Sequence, residues 1–343
     1  MTRETLFMKA INEGLDQAME RDERVVLLGE DISGGVNVEH LENNNEDAWG
    51  GVMGITRGLM PKYGRERVID TPISEHGYLS ASVGMALTGL RPVPELMFND
   101  FIGFCFDALL GQASKMRYMF GGKAKVPMVL RTMHGAGASA AAQHSGSYYA
   151  LFGSIPGIKV VVPATPYDAK GLLLASIEDD NVVVFSEDKT LYGLKGEVPE
   201  EYYTVPIGKA AVRREGKDLT IVTIGKMLYV AYEVADRLAK DNISVEVIDL
   251  RTVAPWDEET VLNSVKKTGR LIIVDEANPH NNTATDIASV VSDKAFDYLD
   301  GPVKCVCAPN TPVPFATNLE QAYIPDADKV LKVADELIQD LKG

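Results

Sequence analysis

Asp70-Thr71-Pro72-Ile73-Ser74-Glu75-His76-Gly77-Tyr78 decides how this chain is read, because it sets one carboxylate where a strand hands over to a helix. Arg67-Val68-Ile69-Asp70 reads as a short strand, Pro72 stops any helix from running through, and Ser74 suits a helix N-cap. Leu79 to Leu90 holds no charged side chain and is rich in Ala, Ser and Gly, which predicts a buried helix closely approached by another backbone. At Glu75 a helix N-terminus favours the ionised carboxylate and desolvation favours the protonated one. Such a group is suited to sharing a proton with a ligand. A first-turn glutamate that only complements the helix dipole is the plainer reading, and the segment alone leaves it open.

Working outward, apolar side chains at Met8, Ile11, Leu15, Ala18 and Met19 predict a helix over 5–21, and Val25 to Gly29 a strand. The Gly-, Asn- and Glu-rich stretch from Ser33 to Trp49 reads as an exposed loop. Strands are expected at 93–98, 127–132, 158–162 and 182–187, with helices at 104–118 and 167–177. That alternation is the pattern of a parallel sheet with helices on its faces. Lys195 to Gly208, with Glu-Val-Pro-Glu-Glu and a second proline, shows neither period and reads as a linker. A second alternating set follows, with strands at 219–223, 245–249, 271–275 and 304–307 and helices at 227–240, 257–267, 283–298 and 329–341. The fold class is therefore α/β, with two parallel-sheet domains over 1–194 and 209–343 joined by a linker over 195–208. No internal repeat or heptad series interrupts this pattern.

A chain of 343 residues has room for two such cores. The formal charge of -15 argues against nucleic acid or an anionic membrane as a partner, since both call for clustered Lys and Arg. Cys105, Cys305 and Cys307 make an odd set without zinc or CxxC spacing, which fits a reducing compartment. Cys305 and Cys307 alternate along an expected strand and are predicted in the core. With no signal peptide, presequence or membrane-length run, a cytoplasmic protein is expected.

Gly135-Ala136-Gly137-Ala138-Ser139-Ala140 matches the GxGxxA form of the dinucleotide fingerprint. The acid that should follow about 20 residues on to hold a ribose is missing, so a nucleotide reading fails in context. The segment continues into Ala141-Ala142-Gln143-His144-Ser145, a histidine among small residues that leave room for a ligand. Histidine is the usual general acid or base at neutral pH, though a hydrogen-bonded core histidine is the competing reading. His40 and His280 fall in polar loops, His134 ends a strand, and no histidine or carboxylate pair shows metal-ligand spacing, so no metal site is expected in this chain. Gly29-Glu30-Asp31 and Phe98-Asn99-Asp100-Phe101 each close a strand at the edge where parallel sheets collect ligands. Phe101 offers either an aromatic face for a flat ring or an ordinary core side chain.

Taken together, these segments resemble one family. Gly29-Glu30-Asp31, the Asp70 to Glu75 run, Gly89-Leu90-Arg91-Pro92, Ala141-Ala142-Gln143-His144-Ser145, Pro156-Gly157-Ile158-Lys159-Val160-Val161, Asp249-Leu250-Arg251-Thr252 and Thr311-Pro312-Val313-Pro314 are similar to the beta subunits of thiamine-diphosphate-dependent 2-oxoacid and acetoin dehydrogenase complexes. Asp47 to Val52 and Met119 to Ala124 look most like the acetoin-cleaving branch, with pyruvate or branched-chain 2-oxoacid enzymes as the alternative. The resemblance implies a transketolase-like pyrimidine-binding domain followed by a transketolase C-terminal-like domain. It further implies an alpha2beta2 heterotetramer with an alpha subunit and transfer of the acyl unit to a lipoyl-bearing dihydrolipoamide acyltransferase. By the same resemblance Glu75 falls on the glutamate that hydrogen-bonds N1′ of the aminopyrimidine, Phe101 on the ring stacked against it, His144 on a histidine near the substrate, and Glu30 on a carboxylate beside the catalytic glutamate. The Gly-Asp-Gly motif that holds magnesium and diphosphate does not occur here, which assigns Mg2+ to the alpha subunit. Asp179 and Asn181 fall on the family's monovalent-cation loop. Gly146 and His76 depart from the family's usual residues.

Overall fold

The computed structural model describes residues 2–34 and 50–339. The expected loop lies largely outside these, as do His40 and the Asp47-Ala48-Trp49 part of the acetoin-like motif. The chain divides into two compact units, Met1–Met133 with Phe152–Ile207, and His134–Leu151 with Gly208–Gly343.

In the first unit β1 (Thr2–Leu6) leads into α1 (Phe7–Arg21), whose Phe7, Ala10, Ile11, Gly14, Leu15, Ala18 and Met19 are buried at helical spacing. Then come β2 (Val25–Gly29), α2 (Leu59–Tyr63), β3 (Val68–Asp70), α3 (Glu75–Leu87) and β4 (Arg91–Phe98). The helical stretch after β4 is broken into α4 (Ile102–Asp107), a π-helical turn at Ala108–Ala113 and α5 (Ser114–Met119). β5 (Val129–His134), α6 (Tyr149–Gly153), β6 (Lys159–Val161), α7 (Pro166–Glu178), β7 (Val183–Asp188) and β8 (Lys195–Pro199) complete the series. The strands lie in the order β6-β7-β5-β4-β2-β3. β2 runs parallel to both β3 and β4, so the chain turns back across β2 between them. Such a reversal opens a crevice beyond the carboxyl ends of the strands, and here those ends are Gly29, Asp70 and Phe98.

α1 crosses α7 closely enough that a Cβ on Gly14 would stand 3.3 Å from Leu173 Cδ2. Beneath that crossing the fully buried Lys170 gives its Nζ to Glu13 Oε1 at 2.7 Å and to the carbonyls of Pro199 and Glu201 at 2.7 and 2.9 Å. The stretch read as a linker is thus corrected at its start. Residues 195–199 form β8, paired antiparallel with β1. Both strands are mainly exposed and polar, so no apolar alternation announces them.

The second unit holds a five-stranded sheet in the order β14-β13-β10-β11-β9. Its strands are β9 (Ala211–Arg214), β10 (Leu219–Thr223), β11 (Val245–Asp249), β13 (Leu271–Asp275) and β14 (Lys304–Cys307). β10, β11 and β13 are buried along their whole lengths, as their apolar runs require. The remaining elements are α8 (Met227–Leu238), β12 (Thr252–Ala254), α9 (Glu258–Thr268), α10 (Thr283–Lys294), α11 (Thr317–Tyr323) and α12 (Ala327–Leu337). Asp257, Asn282 and Asp326 cap α9, α10 and α12 by accepting from Thr260, Thr285 and Lys329 backbone N–H groups. At β14 Val306 points inward, Cys305 is exposed and Cys307 half-buried, which corrects the expectation that both cysteines are core.

Candidate active site

The first unit gathers Glu30, Glu75 and Phe101 at the carboxyl edge of its sheet. Glu30 follows β2, Glu75 is the first residue of α3, and Phe101 sits one turn after β4, each half-buried. Ser74 occupies the N-cap position, but its hydroxyl makes no capping bond. Nor is α3 buried all round as expected. Tyr78, Leu79, Ser82, Val83 and Ala86 face inward, while Gly77, Ala81, Gly84 and Leu87 form an exposed face without charge.

Glu30 stands among charges of its own sign. Burial, followed by the charges of Glu75, Asp31 and Glu95, pushes its carboxyl above the usual range. Its Oε1 is buried and, among the described residues, accepts no hydrogen bond. Tyr78, one turn into α3, is also pushed up, by burial and then by Glu30 and Glu75, and its hydroxyl donates to the Glu95 carbonyl at 3.1 Å. Burial and then Glu75 push the Cys105 thiol up to about 12. Cys105 Sγ lies 3.8 Å from the Phe101 carbonyl. Phe101 meets Phe98 edge-on, ring centroids 5.7 Å apart.

Behind these acids lies a buried ion cluster. Arg131, 2 % exposed on β5, donates to both carboxylate oxygens of Glu187 at 2.8 and 3.0 Å and to Glu95 Oε2 at 2.8 Å. Tyr192 donates to Glu187 Oε2 at 2.7 Å. Burial raises the Glu187 carboxyl against the opposing pull of Arg131. Glu95 is thereby held by a fixed cation, whereas among the described residues none pairs with Glu30. The sequence reading missed Tyr78, Glu95, Cys105 and Arg131; the available signal was an acid and an arginine inside otherwise apolar strands.

His144 belongs to the second unit, in the irregular segment after β5. It is half-buried, and its backbone N–H donates to the Ala141 carbonyl at 3.4 Å. His134, fully buried, stands with Nε2 3.6 Å from Glu276 Oε1, and Lys226 Nζ is 2.6 Å from Glu276 Oε2. The GxGxxA stretch does not open a helix. Its Gly137 and Ser139 N–H groups point instead at the Glu320 carboxylate.

The Asp179-Asp180-Asn181 turn is judged as a cation site on its donors. Asp179 Oδ2 pairs with Lys159, Asp179 Oδ1 accepts from the Asn181 amide at 2.8 Å, and Asn181 Oδ1 accepts from Arg117 at 2.8 Å. Asp180 pairs with both Arg91 and Lys125, and the carbonyls of Ile177 and Asp179 accept from Arg91 Nη1 at 2.8 and 3.1 Å. The turn is neutralised by the chain's own cations, so this donor set does not fit a monovalent cation.

Comparison with known proteins matches this arrangement to a class. The chain matches the transketolase pyrimidine-binding domain over residues 4–195 and the transketolase C-terminal domain over 208–330. It belongs to the family of two-domain, transketolase-type beta subunits of dehydrogenase E1 components, and is an enzyme component. It is 56 % identical over 338 residues to the acetoin:2,6-dichlorophenolindophenol oxidoreductase subunit beta of Bacillus subtilis, covering 98 % of each chain. Identity to the pyruvate dehydrogenase E1 component subunit beta of Rickettsia felis is 41 %, over 96 % of this chain and 97 % of that one. A split-gene transketolase, described as an inactive beta4 tetramer, shares the fold with a TM-score of 0.74 at 21 % identity, over 97 % of this chain and 98 % of that one. Among the described residues no helix is long and apolar enough to cross a membrane.

Proposed function

We propose that this chain is the beta half of a thiamine-diphosphate-dependent acetoin dehydrogenase component, completed by an alpha subunit in an alpha2beta2 heterotetramer that also holds Mg2+. The observation that carries the reading is Glu75 opening α3 beside Glu30, whose buried Oε1 has no partner among the described residues. An orphaned acid next to a helix-opening glutamate suits a ligand that brings its own N–H donors, as an aminopyrimidine does. Bound thiamine diphosphate supplies a carbon nucleophile and an electron sink. Glu75 holds and returns the proton at the pyrimidine ring nitrogen, Glu30 accepts from the same ring system, and Phe101 presents an aromatic face to it. His144 takes the hydroxyl proton of acetoin as the carbon–carbon bond breaks and acetaldehyde leaves. The acetyl unit then passes to the lipoyl arm of a dihydrolipoamide acyltransferase.

A pyruvate or branched-chain 2-oxoacid component is the second reading, favoured by the 41 % relative. Those substrates enter as carboxylates and need a cationic or multiply donating group. Residues 135–147 contain neither Arg nor Lys, which favours the neutral substrate. The test is dye reduction by the reconstituted heterotetramer with acetoin, pyruvate and a branched-chain 2-oxoacid in turn. Acetoin is expected to show the highest kcat/KM, and a higher value for either acid overturns the assignment.

A further inference from the structure

Between β5 and α6 the backbone adopts a conformation that its sequence disfavours. Gly135 and Gly137 have φ of 97° and 110°, which glycine accepts freely, but Ser139 and Ala141 also sit at positive φ, 50° and 60°. For an L-residue that region brings Cβ against the following carbonyl, so two such residues within three positions persist only where the surroundings over-determine them. At Ser139 one side chain does so. Glu320 on α11, 2 % exposed, accepts from Gly137 N at 2.7 Å with Oε1 and from Ser139 N at 2.9 Å with Oε2. Ser139 Oγ lies 3.4 Å from the same oxygen and 3.2 Å from Thr317 Oγ1. Converging N–H groups in such a turn form a concavity that takes an anion, and here the chain fills it with its own carboxylate.

The clamp is reinforced from below. Ala136 packs in an apolar cluster with Ala308, Val313 and Tyr323, and its carbonyl accepts from Lys226 Nζ at 2.5 Å. Immediately beyond the clamped residues, the Ala141 carbonyl receives the His144 backbone N–H. On the far side of His144, Ser147 Oγ donates to Glu276 Oε1 at 3.0 Å and Tyr149 donates to Asp275.

We propose that Glu320 is a positioning residue for His144, holding the turn over residues 137–141 in its left-handed shape so that the imidazole keeps one orientation. The proposal rests on the reading of His144 as the base that faces substrate. Glu320 touches no reacting atom; it acts through the backbone, from 176 positions further along the chain.

The experiment combines amide hydrogen exchange on the full chain with steady-state kinetics of the reconstituted heterotetramer, for Glu320→Gln, His144→Ala and the double variant. Glutamine keeps the shape and one acceptor oxygen but loses the charge. Exchange at Gly137 and Ser139 is expected to rise on the order of tenfold, the factor set by losing one charge-assisted hydrogen bond, while exchange in β10 and β11 stays native. kcat is expected to fall with KM changing less, and the double variant to be no slower than His144→Ala alone. Where Glu320→Gln does not fold, Glu320→Asp, which keeps the charge and shortens the reach, carries the same expectations. Unchanged exchange in Glu320→Gln, or losses that multiply in the double variant, overturn the proposal while leaving His144 in place. A wild-type rate in His144→Ala, with exchange still raised in Glu320→Gln, overturns the reading of His144 and the positioning role with it.

Discussion

Glu30 and Glu320 are both carboxylates beside a tight turn, yet their surroundings differ in kind. Glu320 receives two backbone N–H groups, one to each oxygen, and Glu276 in the same unit has Lys226 and Ser147. Glu30 has a buried oxygen without a donor among the described residues and three acids close enough to raise its carboxyl. Glu95, near Glu30, sides with the matched group because Arg131 holds it. The difference separates acids that shape the backbone, whose charge is answered within the chain, from an acid left unanswered where a ligand is proposed to bind.

Removing the fixed cation breaks this comparison hardest. Arg131→Met leaves Glu187, 0 % exposed, as an uncompensated buried charge and should cost about 3–5 kcal/mol in urea unfolding. A loss no larger than an ordinary surface change would show that the cluster is not the matched scaffold described here. Glu75→Gln tests the opposite pole. It preserves size and hydrogen bonding but cannot exchange a proton, so turnover should drop on the order of 100-fold or more with assembly intact. NMR of cofactor C2 hydrogen exchange at the wild-type rate in that variant would reduce Glu75 to a partner of the helix dipole.

The smallest expected effect sharpens the contrast at Glu30. Its raised carboxyl disfavours the ionised form in the folded state. The stability cost is therefore absent below the ordinary glutamate pKa and grows as pH rises through the raised folded value. Glu30→Gln should flatten that part of the stability-pH profile and be the more stable chain at the upper end. Urea midpoints across the window measure this, and parallel profiles for the two chains would contradict it.

Much of the architecture was readable because buried parallel strands are apolar runs. Leu219–Thr223, Val245–Asp249 and Leu271–Asp275 fall where the sequence places them. The candidate residues Glu30, Glu75 and Phe101 stood out for a related reason, since each comes shortly after the end of a strand. The β1 and β8 pair was not, because it lies exposed and its ladder joins residues nearly 200 positions apart, as in Thr2 opposite Pro199. The same limit hid the surroundings of His144. Its segment continues directly from β5, yet its hydrogen bonds go to Glu276 and Glu320, and no local pattern marks a glutamate on α11 as the partner of a glycine 183 residues earlier. The cation turn shows a third limit, in that Asp179 and Asn181 carry the right oxygens but Lys159, Arg117 and Arg91 reach them first.

The π-helical turn at Ala108–Ala113 has a consequence for anyone who designs on this surface. A π turn carries one residue more than the α-helical turn it replaces, and one residue corresponds to about 100° of rotation. Side chains on α4 and α5 are therefore out of phase with a single helical wheel drawn through them. A chemical staple or engineered ion pair bridging that turn at the customary spacing of four would point its two ends at different faces, and a spacing of five brings them into line.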